Sequence, residues 1–255
     1  MSDIIIKNHK QIANIRKSGK YLTELLYKLQ KAAVPGMFLI ELESIAEAYM
    51  QEHKIKGAFK HYNGFPANLC LSLNECLVHG IPDTTQLQAG DLLKIDCGVN
   101  YQWGITDAAI SIIVGGEKSN PLGKKLVHVT KEALDLGMQH VLPGKTVYDY
   151  AHAVALHVES QGCKIIEKLT GHGVGVKVHE KPYIHNYPHH DTKSVVFTPG
   201  MVLAFEPITA IISDDFTQKK GNDRNLYTKK WDIGAHREYT VLITENGHEI
   251  IAWIV

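Results

Sequence analysis

The chain repeats itself once, and that repeat limits its fold more than any other feature. Residues 9–32 carry Ile12, Ile15, Leu22, Leu25, Leu26 and Leu29 at helical spacing. Pro35-Gly36 breaks the pattern, and Leu42, Ile45, Ala46, Tyr49 and Met50 mark a second helix. The same order returns downstream. Leu126, Val129, Ala133 and Val141 mark a helix, Pro143-Gly144 interrupts, and Val147, Ala151, Val154, Ala155 and Val158 mark the next. The two breaks lie 108 residues apart.

A second echo has nearly the same offset. Ala89-Gly90-Asp91-Leu92-Leu93-Lys94-Ile95-Asp96 matches Pro199-Gly200-Met201-Val202-Leu203-Ala204-Phe205-Glu206 at 110 residues. Each reads as a glycine turn opening a short apolar strand that ends on a carboxylate. The pair of echoes predicts a duplicated helix–helix–strands unit, packed as one pseudo-symmetric α+β domain over 1–255, with repeats at about 1–118 and 119–255. The period is too long and the copy number too low for a solenoid.

Composition excludes more than it selects. Hydrophobic residues at 44% supply a core, and 27 basic against 27 acidic residues give zero formal charge. A balanced surface without a long basic run argues against direct nucleic-acid binding and against an anionic membrane as partner. Met1 to Lys7 has three consecutive apolar residues, short of the roughly 7 to 15 of a signal peptide. The most apolar stretch, Met201 to Ile212, is interrupted by Glu206 and Pro207, so no membrane span is expected. Cys70, Cys76, Cys97 and Cys163 show no CxxC spacing. They are expected as free thiols in a cytoplasmic protein.

Acidic residues interrupt the apolar strands where ordinary strand composition would not place them. The stretch from Asp96 through Asp107 reads as a hairpin with its tip near Tyr101-Gln102. A register symmetric about that tip sets Asp96 directly opposite Asp107 on one face. Like charges so placed repel, and a shared proton, a basic partner or a cation must compensate. The second half supplies Glu206 and, 32 residues on, Glu238, within Arg237 to Thr244, which reads as the returning strand. Asn246-Gly247 then reads as a tight turn into a last strand, Ile250 to Val255. If the halves face each other, four carboxylates converge and cannot all stay ionised without cations.

Thr170-Gly171-His172-Gly173-Val174-Gly175 lies between the acidic pairs. A lone histidine here would more often be structural, but beside four carboxylates a neutral imidazole ligand is the better reading. Oxygen ligands with one nitrogen suit divalent Mn, Fe or Co at least as well as Zn. Two such ions would balance four carboxylates and form a hydrolytic centre with a bridging hydroxide as nucleophile.

Asn74-Glu75-Cys76-Leu77-Val78-His79-Gly80-Ile81-Pro82, the strand with Asp96, the hairpin with Asp107, Gly171-His172-Gly173-Val174-Gly175, Phe205-Glu206-Pro207 and Glu238-Tyr239-Thr240 together resemble type I methionine aminopeptidases. The resemblance runs in order over nearly the whole chain. It implies the pita-bread fold, a curved antiparallel sheet covered by helices with internal pseudo-twofold symmetry. It also implies two divalent ions (Co, Mn, Fe or Zn) held by Asp96, Asp107, His172, Glu206 and Glu238, with Asp107 and Glu238 bridging. Glu206 would shuttle a proton, His179 would stabilise the oxyanion and His79 would contact the amide nitrogen that becomes the leaving amine. Tyr62, Phe65 and Cys70 would line the methionine pocket. The implied reaction is removal of the initiator methionine from nascent chains with a small second residue. The nascent peptide is the implied partner, with a transient ribosome contact, and a monomer is expected.

The chain also departs from that family. Phe59 stands where many bacterial members have a small residue, and Val178 replaces an aromatic before the second histidine. Trp231-Asp232-Ile233-Gly234-Ala235-His236-Arg237 replaces a common Ser-Ala-Gln stretch. An exchange of bulk between Phe59 and Val178 is expected to keep the pocket volume, and Trp231 is expected as a pocket wall. The polar segment Asp214 to Lys230 reads as a long connection forming a mobile rim. Two other readings share the fold: an X-Pro aminopeptidase or prolidase-like enzyme, and a non-catalytic binding protein. The first usually carries a further N-terminal domain, and the second usually loses metal ligands.

Overall fold

The computed structural model describes residues 4–219 and 221–253. Two helices open the chain, α1 (His9–Ala32) and α2 (Leu39–Glu52). Asn8 caps α1 in a reciprocal exchange with Gln11, and Glu41 accepts from the Phe38 amide at the start of α2. Strands β1 (Lys56–Gly57), β2 (Leu69–Leu73), β3 (Cys76–Val78), β4 (Leu92–Tyr101) and β5 (Gly104–Ile113) follow. Asn120 and Pro121 then start α3 (Pro121–Met138), and a Thr146–Asp149 capping box starts α4 (Val147–Ser160).

The remainder is β6 (Lys164–Ile165), β7 (Gly171–Gly173), β8 (Glu180–Ile184), β9 (Val202–Phe205), β10 (Ile208–Ala210), β11 (Phe216–Lys219), β12 (Asn222–Thr228), β13 (Gly234–His236), β14 (Tyr239–Thr244) and β15 (Gly247–Ala252). Every strand pair among the described residues is antiparallel. One sheet is built around β4, flanked by β2 and β5, with β1 also pairing β4. The largest runs β15-β14-β9-β7-β8. No helix among the described residues is long and apolar enough to cross a membrane.

Each helix pair buries its apolar stripe against a sheet. Leu22, Leu26, Leu29 and Leu42 pack on Leu71, Ile95 and Ile110, while Val129, Ala133, Val154 and Val158 pack on Leu203, Phe205, Val241 and Ile243. A third apolar cluster draws on both halves of the chain and includes Phe59, Phe65, Cys70, Val174 and Val178. The sheets are stitched together by β5 and β14: Asp107 N donates to Thr240 Oγ1 (2.9 Å), Thr240 Oγ1 donates to Asp107 O (2.6 Å), and Glu238 N donates to Ala109 O (3.0 Å).

Several local expectations need correction. The β4–β5 hairpin turns at Gln102-Trp103, both with positive φ (48° and 68°), one residue later than read from the sequence. Asp96 therefore pairs with Ala109 and Asp107 with Gly98. The two aspartates are diagonal neighbours on one face, not direct partners. Asp96 also lies inside β4, which runs on to Tyr101, whereas β9 stops at Phe205 and Glu206 is the residue just after it, ahead of Pro207. The last hairpin pairs Thr244 with Gly247, so β15 begins earlier than Ile250 and ends at Ala252; Ile254 and Val255 lie outside the described residues. Val141 lies beyond the end of α3, although it is buried in the core. The segment 214–230 is not a plain connection. It contains the β11–β12 hairpin, which pairs through β12 with β3.

Candidate active site

Each acidic residue reaches one place from a different element. Asp96 comes from the middle of β4 and Asp107 from β5, on the same face. Glu206 follows β9 and Glu238 precedes β14, and the Phe205–Tyr239 pairing sets these two carboxylates side by side. His172 comes from β7, next to β9. Its Nδ1 bonds the Gly173 carbonyl (2.9 Å), which puts the proton on Nδ1 and leaves Nε2 as a lone-pair donor. That Nε2 lies 3.4 Å from Glu206 Oε1.

The structure thus brings Asp96, Asp107, His172, Glu206 and Glu238 to one wall of a cavity of about 700 Å³. Ligand atoms of Asp107, His172 and Glu238 lie within 4.8 Å of one another, as do those of Glu206, His236 and Glu238. Asp96 Oδ1, Asp107 Oδ1 and Glu238 Oε1 are buried without a hydrogen-bond partner. Buried carboxylate oxygens left in that condition are costly.

Electrostatics repeats the same demand. Burial, then the Glu206 charge, raises the Asp96 carboxyl to about 7, against the pull of His236. Burial raises Glu206 to about 8. Asp107 and Glu238 are pushed well above the ordinary range, first by burial and then by the neighbouring carboxylates. Burial holds His172 at about 3 and His236 at about 4, so both rings are neutral near pH 7. Four acids that resist ionisation beside two neutral imidazoles form a donor set lacking positive charge. Hard oxygens with imidazole nitrogen fit first-row divalent cations.

The rest of the cavity is mixed. Phe59, Tyr62, Phe65 and Cys70 supply apolar surface, and His79 and His179 supply polar atoms. Cys70 pairs with Asp96 across β2 and β4. The Tyr62 hydroxyl lies 3.0 Å from His179 Nδ1, and the His179 ring centroid is 4.2 Å from that of His172. Burial lowers the pKa of both His79 and His179. The β11–β12 hairpin adds Phe216, Gln218, Arg224 and Leu226.

Two expectations about the pocket fail. Trp231 does not line it: the ring is 53% exposed and packs on Tyr227 at 5.6 Å between centroids. Val178 is buried in the apolar cluster with Phe59 but is not among the lining residues, so the two do not exchange bulk across one pocket. Phe59 lies over the backbone of β4, where a Cβ on Gly98 would stand 2.7 Å from its ring. Sequence reasoning missed His236. The signal was its i, i+2 spacing from Glu238, which sends both side chains to one face of an extended segment.

Antiparallel sheets under two helix pairs, with a buried carboxylate–imidazole cluster facing a cavity, define a metal-dependent hydrolase of pita-bread form. Residues 13–245 match the model of metallopeptidase family M24. The methionine aminopeptidase of Clostridium acetobutylicum is 36% identical, over 97% of this chain and 98% of its own. The crystal structure of methionine aminopeptidase from Thermotoga maritima superposes with a TM-score of 0.93 at 36% identity, covering 98% of this chain and 100% of that one. The prolidase of Pyrococcus horikoshii, at 24% identity and TM-score 0.76, shares the fold over 98% of this chain and 64% of its own. The chain belongs to metallopeptidase family M24, within its methionine aminopeptidases.

Proposed function

We propose that this chain removes N-terminal methionine from polypeptides, with two divalent ions held by Asp96, Asp107, His172, Glu206 and Glu238. The observation that carries this reading is the set of orphaned carboxylate oxygens in the cavity that Phe59, Tyr62, Phe65 and Cys70 also line. When bound, the ions supply Lewis-acid polarisation of the scissile carbonyl and a water-derived nucleophile at neutral pH.

The chain's own residues do the rest. Tyr62, Phe65 and Cys70 receive the unbranched thioether side chain, which apolar contact and shape select. A phenol is a strong donor, so Tyr62 donates to His179 Nδ1 and leaves the His179 proton on Nε2. From there it donates to the carbonyl oxygen as negative charge develops. Glu206 accepts a proton and returns it to the departing amine. His79 orients the amide nitrogen.

The substrates are nascent chains with a small second residue, met in the cytoplasm by a monomer in transient contact with the ribosome. Release of free methionine from Met-Ala-Ser after reconstitution with Mn, Fe, Co or Zn tests the reading, with chelated protein as control. Turnover of Ala-Pro-Ala in place of Met-Ala-Ser, or no turnover of either with any metal, would overturn it.

A further inference from the structure

His236 ends β13, two residues before Glu238, in the stretch where the sequence departs from the family pattern. Its imidazole is 2% exposed, and neither ring nitrogen has a hydrogen-bond partner. Nε2 lies 3.3 Å from Glu206 Oε2 and 4.0 Å from Glu238 Oε2. The shorter contact lacks hydrogen-bond geometry, so the ring and the carboxylate point at a shared space and not at each other.

The backbone at His236 is held from the first half of the chain. His236 N donates to Ser111 Oγ (2.9 Å), and Ser111 Oγ donates to His236 O (2.8 Å). Glu206 consequently stands between two imidazoles, with Oε1 toward His172 and Oε2 toward His236. The two groups of convergent donors, Asp107/His172/Glu238 and Glu206/His236/Glu238, share Glu238. A buried imidazole with both nitrogens unpartnered costs stability unless something occupies one of them.

We propose that His236 is a sixth protein ligand of the metal centre, binding through Nε2 an ion shared with Glu206 and Glu238. This rests on the two-ion reading above. The centre then holds two imidazoles, which shifts its preference from oxygen-seeking Mn toward Fe, Co and Zn.

Proton NMR of the full chain loaded with Co(II) tests the assignment, because an imidazole bound through Nε2 keeps an exchangeable Nδ1–H shifted strongly by the paramagnetic ion. Two such resonances are expected in the wild type. His172→Gln should remove one and His236→Gln the other, and the second variant should also bind one of its two cobalt ions about tenfold or more weakly, a loss at least as large as that for an outer partner. A single resonance that disappears in His172→Gln, or a His236→Gln spectrum identical to wild type, overturns the proposal. The wild-type count decides the matter even if the variants fail to fold. A wild-type chain that takes up no cobalt in equilibrium dialysis overturns the two-ion reading itself.

Discussion

The hydrogen bond between Tyr62 and His179 fixes which nitrogen of that imidazole carries its proton, and so what the residue offers a substrate. Loss of one oxyanion donor costs on the order of 10²- to 10³-fold in kcat. His179→Ala should therefore lower kcat for Met-Ala-Ser by about that factor with metal content unchanged. Tyr62→Phe, which frees the tautomer but keeps the ring, should lower it less. Steady-state kinetics beside metal analysis checks both, and an unchanged kcat in His179→Ala would remove it from the reaction. The residues of this site were legible in the sequence in proportion to how badly they suit their local structure. Asp96, Asp107, Glu206 and Glu238 stand out because carboxylates interrupt apolar strands, and His172 because glycines surround it. His236 looked like a sequence departure and nothing more. Its i, i+2 spacing from Glu238 put it on that residue's face, but its nearness to Glu206 depends on β9 and is not encoded near residue 236.

Elements with strong periodicity were legible, and those defined by tertiary pairing were not. The helices follow from apolar stripes and the Pro-Gly breaks between them, but the β4–β5 register turns on two residues with no turn signature. Gln102-Trp103 occupies positions where an Asn-Gly pair would be ordinary. The β11–β12 hairpin is polar, and its strand character comes from pairing with β3. The turn yields a direct test. Trp103 is 83% exposed at φ 68°, so its ring contributes little burial while its backbone is strained. A left-handed non-glycine residue costs about 1–2 kcal/mol, and glycine forfeits roughly 0.5–1 kcal/mol in unfolded-chain entropy. Trp103→Gly should therefore raise stability by about 0.5–1 kcal/mol in urea unfolding, with kcat/KM unchanged. A clear loss of stability would mean that the indole carries packing the exposed ring does not suggest.

At the scale of the whole molecule, the N-terminal segment and the second half hold each other. Lys7 Nζ lies 2.6 Å from Glu180 Oε2, with both side chains 1% exposed. Glu180 Oε1 also accepts from Val176 N (2.6 Å) and Lys177 N (2.8 Å), so it shapes the turn that presents His179. Removing one member of a buried pair costs about 3–5 kcal/mol, because the other charge is left uncompensated. Lys7→Met should destabilise by about that amount, and Lys7→Met with Glu180→Gln should recover much of the loss. A Lys7→Met chain as stable as wild type would show that the pair is not closed in solution.

The same scale governs the metal-free molecule, where the four carboxylates face one another without a cation. An acid whose pKa is higher in the folded chain than in the unfolded one binds more protons when folded, so stability falls as pH rises between the two values. That interval runs from 3.8 to about 7 for Asp96 and from 4.5 to about 8 for Glu206, and Asp107 and Glu238 shift in the same direction. Well below pH 3.8 the folded and unfolded chains are both protonated at these sites and the penalty vanishes; above pH 8 Asp96 and Glu206 contribute theirs in full. A cation bound only by the folded chain adds about 2.7 kcal/mol at a hundredfold excess over Kd, and it binds the deprotonated ligands. The chelated protein should therefore lose Tm steadily from pH 5.5 to 8.5, and added Mn or Co should restore more of it at the upper end than at the lower. A chelated Tm that is level across this range, or a metal-induced rise that shrinks with pH, would mean that the acids are not gathered as closely as the fold sets them.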